Sequence, residues 1–413
     1  MLSILIVEDE IQKRSVICDA IGTCGRNLLF GIESVSDAHE ARRALKRKKF
    51  DLLILDINIP SRIDDVVREG AGLDVIRFIR DNDAAIAPTI TLCLTAYDDA
   101  VAAAERELGF QFWKLVKFSY EERSWRQTVL DALQYLGKTT KPPFYNDGNT
   151  YHNDLCIVVA LEEELQAILS LPGDWAQVEI CHDANRYWKG QFTGSEGRLS
   201  VVVALGQIMG MPSAAVISSQ LIHTFRPKYL AMAGICAGVR DKAAIGDILV
   251  ADPCFDWGSG KWRERDDGEG LEFRPAAYQW RLDTTLRTDM RNLANEEGLL
   301  HRIWLSFIGT RPEQAPEVLI EAMASGGSVL QAKMLMEEVQ EHHKNLIGVD
   351  MELYAVFTAA TYAAAPRPKC FAVKAVSDFG DGEKNDHYHK YAAHCSAQFL
   401  YQFALAKLPS VLD

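Results

Sequence analysis

The chain has 413 residues, 48% of them hydrophobic, with a formal net charge of −13. That length suits two to three domains with packed cores. The acidic balance speaks against nucleic acid as the main partner, since a phosphate backbone calls for a basic face. The nine cysteines are odd in number and scattered, with no C-x-x-C pair. They read as free thiols of a reducing compartment, not as a disulfide frame or zinc site. No apolar run approaches the length of a membrane span, and Met1 leads at once into a strand pattern and acids, unlike a secretion signal. A cytoplasmic protein is expected, without membrane or DNA contacts.

Residues 1–137 alternate short apolar runs with amphipathic segments. Ser3–Val7, Gly31–Val35, Leu52–Leu55, Thr89–Leu94 and Phe112–Val116 read as strands, Ile11–Ile21 and Ala38–Lys48 as helices. Such alternation predicts a doubly wound five-stranded parallel sheet. Its ligands would collect at the carboxyl ends of the strands. Glu8 and Asp9, Asp56, Thr95 and Lys117 all fall at strand ends. Three carboxylates on one rim repel one another unless a cation sits among them, and a hard divalent ion answers that need. The basic run Arg42–Lys49 reads as a solvated helix face.

This constellation resembles the receiver domain of bacterial response regulators, of flavodoxin-like fold. It rests on Ile6-Val7-Glu8-Asp9-Glu10, Asp51–Asp56, Leu94-Thr95-Ala96 and Val116-Lys117-Phe118. The resemblance implies Asp56 as phosphoacceptor, and Mg²⁺ held by Glu8, Asp9, Asp56 and the carbonyl of Asn58. Thr95 and Lys117 would touch the phosphoryl group. It also implies a sensor histidine kinase or phosphorelay protein as partner. Three departures stand out: the loop Ser61–Gly72 is long, Phe118 replaces the usual proline, and Lys114 beside Trp113 replaces the switch aromatic.

Residues 138–154 read as a linker, with two prolines, a glycine and no periodicity. From 155 to 413 the pattern is again α/β, with strands expected at Leu155–Ala160, Leu199–Leu205, Tyr229–Ala233, Ile248–Ala251, Trp304–Ile308 and Cys370–Ala375. Helices are expected at Pro212–Thr224, Leu330–Glu341, Leu353–Ala365 and Lys390–Ala406. Glu162-Glu163-Glu164 opens a helix, where acids suit either the dipole or a ligand. Met209-Gly210 leads into a helix start. Gly234-Ile235-Cys236-Ala237-Gly238 follows a strand as a turn whose small residues admit a ligand close to the backbone. Gly348–Glu352 marks a strand turning into a buried helix, and Val376-Ser377-Asp378 ends another strand with a carboxylate.

In that order these motifs resemble the nucleoside phosphorylase and nucleosidase superfamily, a mixed-sheet α/β domain. The resemblance implies cleavage of a purine N-glycosidic bond without a cofactor. Asp378 would be the general acid and Glu164 the residue that activates water. Glu352 would grip the ribose hydroxyls, and Met351 would pack beneath the sugar. Met209, Gly234, Ile235, Cys236 and Ser377 would complete the pocket. A dimer or hexamer is the usual assembly. The charged stretch Asp252–Pro275, with Arg240 and Lys242, could read a nucleotide tail, although its interspersed acids equally suit a solvated loop. His387 and His389 read as polar groups of a lid over Asp381–His389.

Receiver and nucleosidase together resemble the effectors of phosphorelay-controlled antiphage defence, which act as ATP nucleosidases. The expected activity is a phosphorylation-gated release of adenine from ATP, leaving ribose 5′-triphosphate. Alternatives are a nucleosidase or phosphorylase for adenosine or methylthioadenosine, and a signalling module that binds nucleotides without turnover.

Overall fold

The computed structural model describes residues 2–23, 30–96, 113–121, 124–139, 146–180, 183–194, 197–266, 270–276, 278–328, 333–381, 386–408 and 410. Two compact units emerge, Met1–Asn146 and Asp147–Asp413.

In the first unit, five strands pair in parallel in the spatial order Phe30–Val35, Leu2–Val7, Leu52–Asp56, Ile90–Thr95, Trp113–Lys117. The run Leu52–Asp56 is buried on both faces, as a parallel sheet wrapped by helices requires. Side chains alternate between two cores. Leu5, Val7, Leu53 and Leu55 face the helices Ala38–Arg47 and Ala71–Asp81. Ile4, Ile6, Ile54 and Leu94 face Ile11–Gly22 and Ser124–Thr139. Strand order reverses beside Leu2–Val7, so the rim holding Glu8, Asp9 and Asp56 is the switch point where ligands of such sheets bind. Part of the lengthened loop after Asp56 folds back as a short ladder of Ile59–Pro60 with Val67–Arg68.

The segment read as a linker is described in part. The helix from Ser124 runs to Thr139, and a strand begins at Asn153. Residues 140–145 lie outside the described residues.

The second unit is built on a ten-stranded mixed sheet. Five of its strands close a ring: Ile248–Asp256, Val318–Ser325, Leu346–Asp350, Pro227–Gly238 and Lys369–Asp378, which returns to Ile248–Asp256. Asn153–Val159 and Gly197–Leu205 extend the sheet from Pro227–Gly238 in parallel. Leu155, Ile157 and Val159 pack on one face, under the helix His389–Lys407. Cys156 and Val158 pack on the other, under the helices Met211–Phe225 and Leu353–Thr361. The period-two alternation of a strand thus fills two cores at once.

Two expectations are corrected. The apolar run Trp304–Ile308 is not a strand: Leu299–Ser306 is a helix that buries Leu299 and Ile303, four residues apart. A short apolar run carries either period, and here the i, i+4 pair meets the core. The glycine segment 234–238 is not a turn after a strand. It continues the strand to Gly238, with a register shift between Cys236 and Ala237. Small residues serve a close approach inside the sheet there. No helix among the described residues is long and apolar enough to cross a membrane, and the seven described cysteines are free thiols.

Candidate active site

Several strands of the second unit end around one cavity of about 500 Å³. Its walls include Glu164, Met209, Ile235, Cys236, Met351, Glu352, Ser377 and Asp378, eight of the residues singled out from the sequence. Gly234, the ninth, stands behind the wall. A Cβ there would lie 2.0 Å from Glu164 Oε1, so a side chain at 234 would displace that carboxylate.

Glu164 is fixed by backbone. Its Oε2 accepts N–H bonds from Ala160 (2.7 Å) and Leu161 (3.0 Å), and Oε1 accepts one from Ile235 (2.8 Å). The bond to Leu161 caps the helix Glu162–Leu169. The capping and site readings of this acid are therefore both met by one side chain. Each oxygen keeps lone-pair capacity for a further donor.

Asp350 and Glu352 divide two roles. Asp350 is structural: it accepts from Ser325 Oγ (2.6 Å) and from the Leu353 N–H (3.0 Å), holding the first turn of the buried helix. Glu352 turns toward the cavity, and its Oε1 accepts the Gly210 N–H at 2.8 Å. Gly210 has φ of 107°, a left-handed backbone that favours glycine.

Asp378 accepts the Gly380 N–H through Oδ1 (2.8 Å) and the Ser377 hydroxyl through Oδ2 (3.0 Å). Ser377 Oγ also lies 3.3 Å from the Cys236 carbonyl. A hydroxyl carries one proton. It can be given either to the carboxylate or to the carbonyl, so Ser377 can serve one partner or the other.

One central residue was not foreseen. Lys374 is 1% exposed, and its Nζ stands 3.4 Å from Asp350 Oδ2 and 3.9 Å from Glu352 Oε2. Burial pushes its pKa down, but Glu164, Asp350 and Glu352 outweigh burial and the net shift is upward. One ammonium cannot neutralise three carboxylates. Burial accordingly pushes the Glu352 carboxyl up to about 7; Lys374 opposes this, and Asp350 and Glu164 add to it. In sequence, Lys374 reads only as an interruption of an apolar strand.

The Glu352 shift makes a pH prediction. If Glu352 works as a carboxylate, kcat/KM rises with pH through about 7, because that profile reports the free enzyme. Its folded-state pKa lies above the unfolded value. The stability it contributes is therefore full below the unfolded pKa and lost as pH rises through about 7. Glu352→Gln should melt higher than wild type at pH 8, with the difference shrinking toward acid. A difference independent of pH in melting scans refutes this.

The described residues of the basic stretch do not join the cavity wall. The stretch folds into the hairpin Gly260–Glu264 with Leu271–Pro275. There Arg263 pairs with Glu272 and Asp266, and Arg274 pairs with Glu272. Arg240 pairs with Asp381 and lies over the Phe379 ring. Lys242 donates to the carbonyls of Lys344 and Leu346. No lysine or arginine appears among the described lining residues. His389 does line the cavity, with Nδ1 3.4 Å from Glu163 and Nε2 3.3 Å from Asp386. Lid residues 382–385 lie outside the described residues.

In the first unit, Glu8, Asp9 and Asp56 bring carboxylate oxygens within 4.8 Å of one another. Asn58 donates its N–H to Asp56 Oδ1 (3.1 Å), and its side-chain oxygen accepts from Gly70. Thr95 is buried at the same rim; Lys117 pairs with it in register, and its side chain is exposed. Burial pushes the Glu8 carboxyl up to about 7. An all-oxygen donor set suits Mg²⁺, but the Lys13 ammonium lies between Glu8 and Asp56. The three acids would hold such an ion only where the position of that ammonium allowed it. Lys13 gave no sequence signal beyond its place on an expected helix.

Residues 154–406 match the family model described as "Phosphorylase superfamily". The uncharacterized protein y4jS of Sinorhizobium fredii is 30% identical over 96% of this chain and 97% of its own length. ATP nucleosidase Cap17 of Escherichia coli is 25% identical over 58% of this chain, a match spanning 49% of that protein. Among solved structures, the 5′-methylthioadenosine/S-adenosylhomocysteine nucleosidase of Helicobacter pylori covers 62% of this chain and 99% of its own, at 20% identity and a TM-score of 0.47. With its family model matched from Asp154 into the C-terminal helix, the chain belongs to the phosphorylase superfamily.

Proposed function

We propose that the chain hydrolyses the N-glycosidic bond of a purine nucleotide, converting ATP and water to adenine and ribose 5′-triphosphate. The convergence of Glu164, Glu352 and Asp378 on one cavity carries this reading. As the C1′–N9 bond breaks, positive charge develops on the sugar and the base takes up electrons. Asp378 delivers its proton to the departing purine at N7. Glu352 accepts hydrogen bonds from the ribose 2′ and 3′ hydroxyls, bonds that strengthen as the sugar becomes cationic. Met351 packs against the ribose. Glu164, held by three N–H donors, orients the water whose oxygen bonds to C1′ and takes up that water's proton. The relation to ATP nucleosidase Cap17 supports ATP as the substrate.

In this reading the first unit is a receiver. Asp56 takes a phosphoryl group from a sensor kinase or phosphorelay protein with Mg²⁺ bound, and the modification switches on ATP destruction in antiphage defence. Thr95 and Lys117 would contact the phosphoryl oxygens. A homo-oligomer is part of the proposal.

One observation favours a second reading. The described cavity wall carries Glu162, Glu163 and Glu164 and no lysine or arginine, an unwelcoming surface for a triphosphate. A neutral nucleoside such as methylthioadenosine would meet no such repulsion.

Chromatography of purine products decides between them. The protein is incubated with ATP, adenosine or methylthioadenosine, with and without inorganic phosphate and a small-molecule phosphodonor. Adenine from ATP, independent of phosphate and raised by the phosphodonor, is the expected result. Adenine from the nucleosides alone establishes the second reading, and no purine from any substrate overturns both.

A further inference from the structure

We propose that Lys13 is a resident cation of the N-terminal acid cluster, competing with a divalent metal for the oxygens of Glu8 and Asp56. Metal loading then requires the Lys13 side chain to leave. The inference does not depend on the nucleosidase reading.

Lys13 is 3% exposed although it is the third residue of a helix at the sheet rim. Its Nζ lies 2.8 Å from Glu8 Oε2 and hydrogen-bonds Asp56 Oδ2. These are two of the three acids whose oxygens converge there. Burying an ammonium is costly unless it is paired, so its inward position is a response to the acids.

The other side of the pocket is built to hold it. Lys13 Nζ stands 5.1 Å from the centroid of the Phe118 ring, within cation–π range. Phe118 is itself fixed between Tyr120 and Trp125, with ring centroids 5.0 Å away in both cases. A proline at 118 would offer no aromatic face. The unusual Phe118 and the buried Lys13 are therefore one device.

The fit to Lys13 is incomplete. Glu8 Oε2 is buried and has no aligned hydrogen bond, despite its ion-pair distance to Lys13. An acceptor of that kind remains available to a better-placed cation. A lysine and a divalent ion a few ångströms apart repel strongly when screened from water, so the two exclude each other.

Calorimetric titration of the full chain with magnesium chloride tests the competition, comparing wild type with Lys13→Met. The variant should bind Mg²⁺ at least about tenfold more tightly. Magnesium should also raise the melting temperature of the variant more than that of wild type. Equal affinity in both proteins overturns the role of Lys13 and leaves the acids as a metal site. No binding in either shows that the acids hold no metal and overturns the proposal from the other side. Should the variant unfold in chelator, refolding on added magnesium supports the competition and failure to refold refutes it.

Discussion

If Asp378 is the proposed general acid, Asp378→Asn should slow purine release by roughly 10²–10⁴-fold and leave the fold intact. The amide can keep the Gly380 N–H bond through its oxygen. Its NH₂ group can donate to Ser377 Oγ, whose proton then turns to the Cys236 carbonyl 3.3 Å away. Every polar group at the site keeps a partner, so melting should be nearly unchanged. What is lost is the transferable proton. Steady-state assay together with a melting scan checks both halves. Less than a threefold loss of kcat would remove Asp378 from the proton-transfer role.

Lys374→Met should have the largest effect on stability. The lysine is the buried counter-charge closest to Asp350 and Glu352. Removing one member of a buried ion pair costs about 3–5 kcal/mol, because the remaining charge is stranded in a dry site. Two carboxylates would be stranded here, and Glu164 would lose an attractive neighbour. In a unit of this size the melting temperature should fall by roughly 10 °C. The deficit should shrink at low pH, where protonation removes the stranded charge, while a loss of packing alone would not respond to pH. Lys374→Arg keeps the charge and should recover part of the stability. A Lys374→Met protein that melts like wild type at pH 8 would show that the cluster is neutralised otherwise.

The two lysines show why parts of each site stayed hidden in the sequence. Glu164, Glu352 and Asp378 were legible because each follows an apolar strand, and a strand end is where a chain can present a charge to a cavity. Lys374 sits inside a strand whose neighbours are buried. Its charge is tolerable only because acids from other segments surround it, a fact of three-dimensional assembly. Lys13 is the same case on a helix. Of the two readings of the basic hairpin, the solvated one fits its ion pairs: antiparallel pairing sets Glu272 opposite Arg263, and Arg274, two residues along the same strand, pairs with Glu272 as well.

The sequence by itself determined the two α/β units and most of their strands, while its resemblance to the nucleoside phosphorylase and nucleosidase superfamily picked out the nine residues that lie in or behind the cavity wall. Hydrophobic periodicity and strand-end acids are local signals, and they survive without knowledge of the fold. Only the tertiary structure decided that the glycine segment is strand, that Trp304 belongs to a helix, and that a buried lysine sits in each acid cluster. Those outcomes depend on which distant segments meet, because burial and charge neutralisation are properties of the assembled neighbourhood and not of the residue.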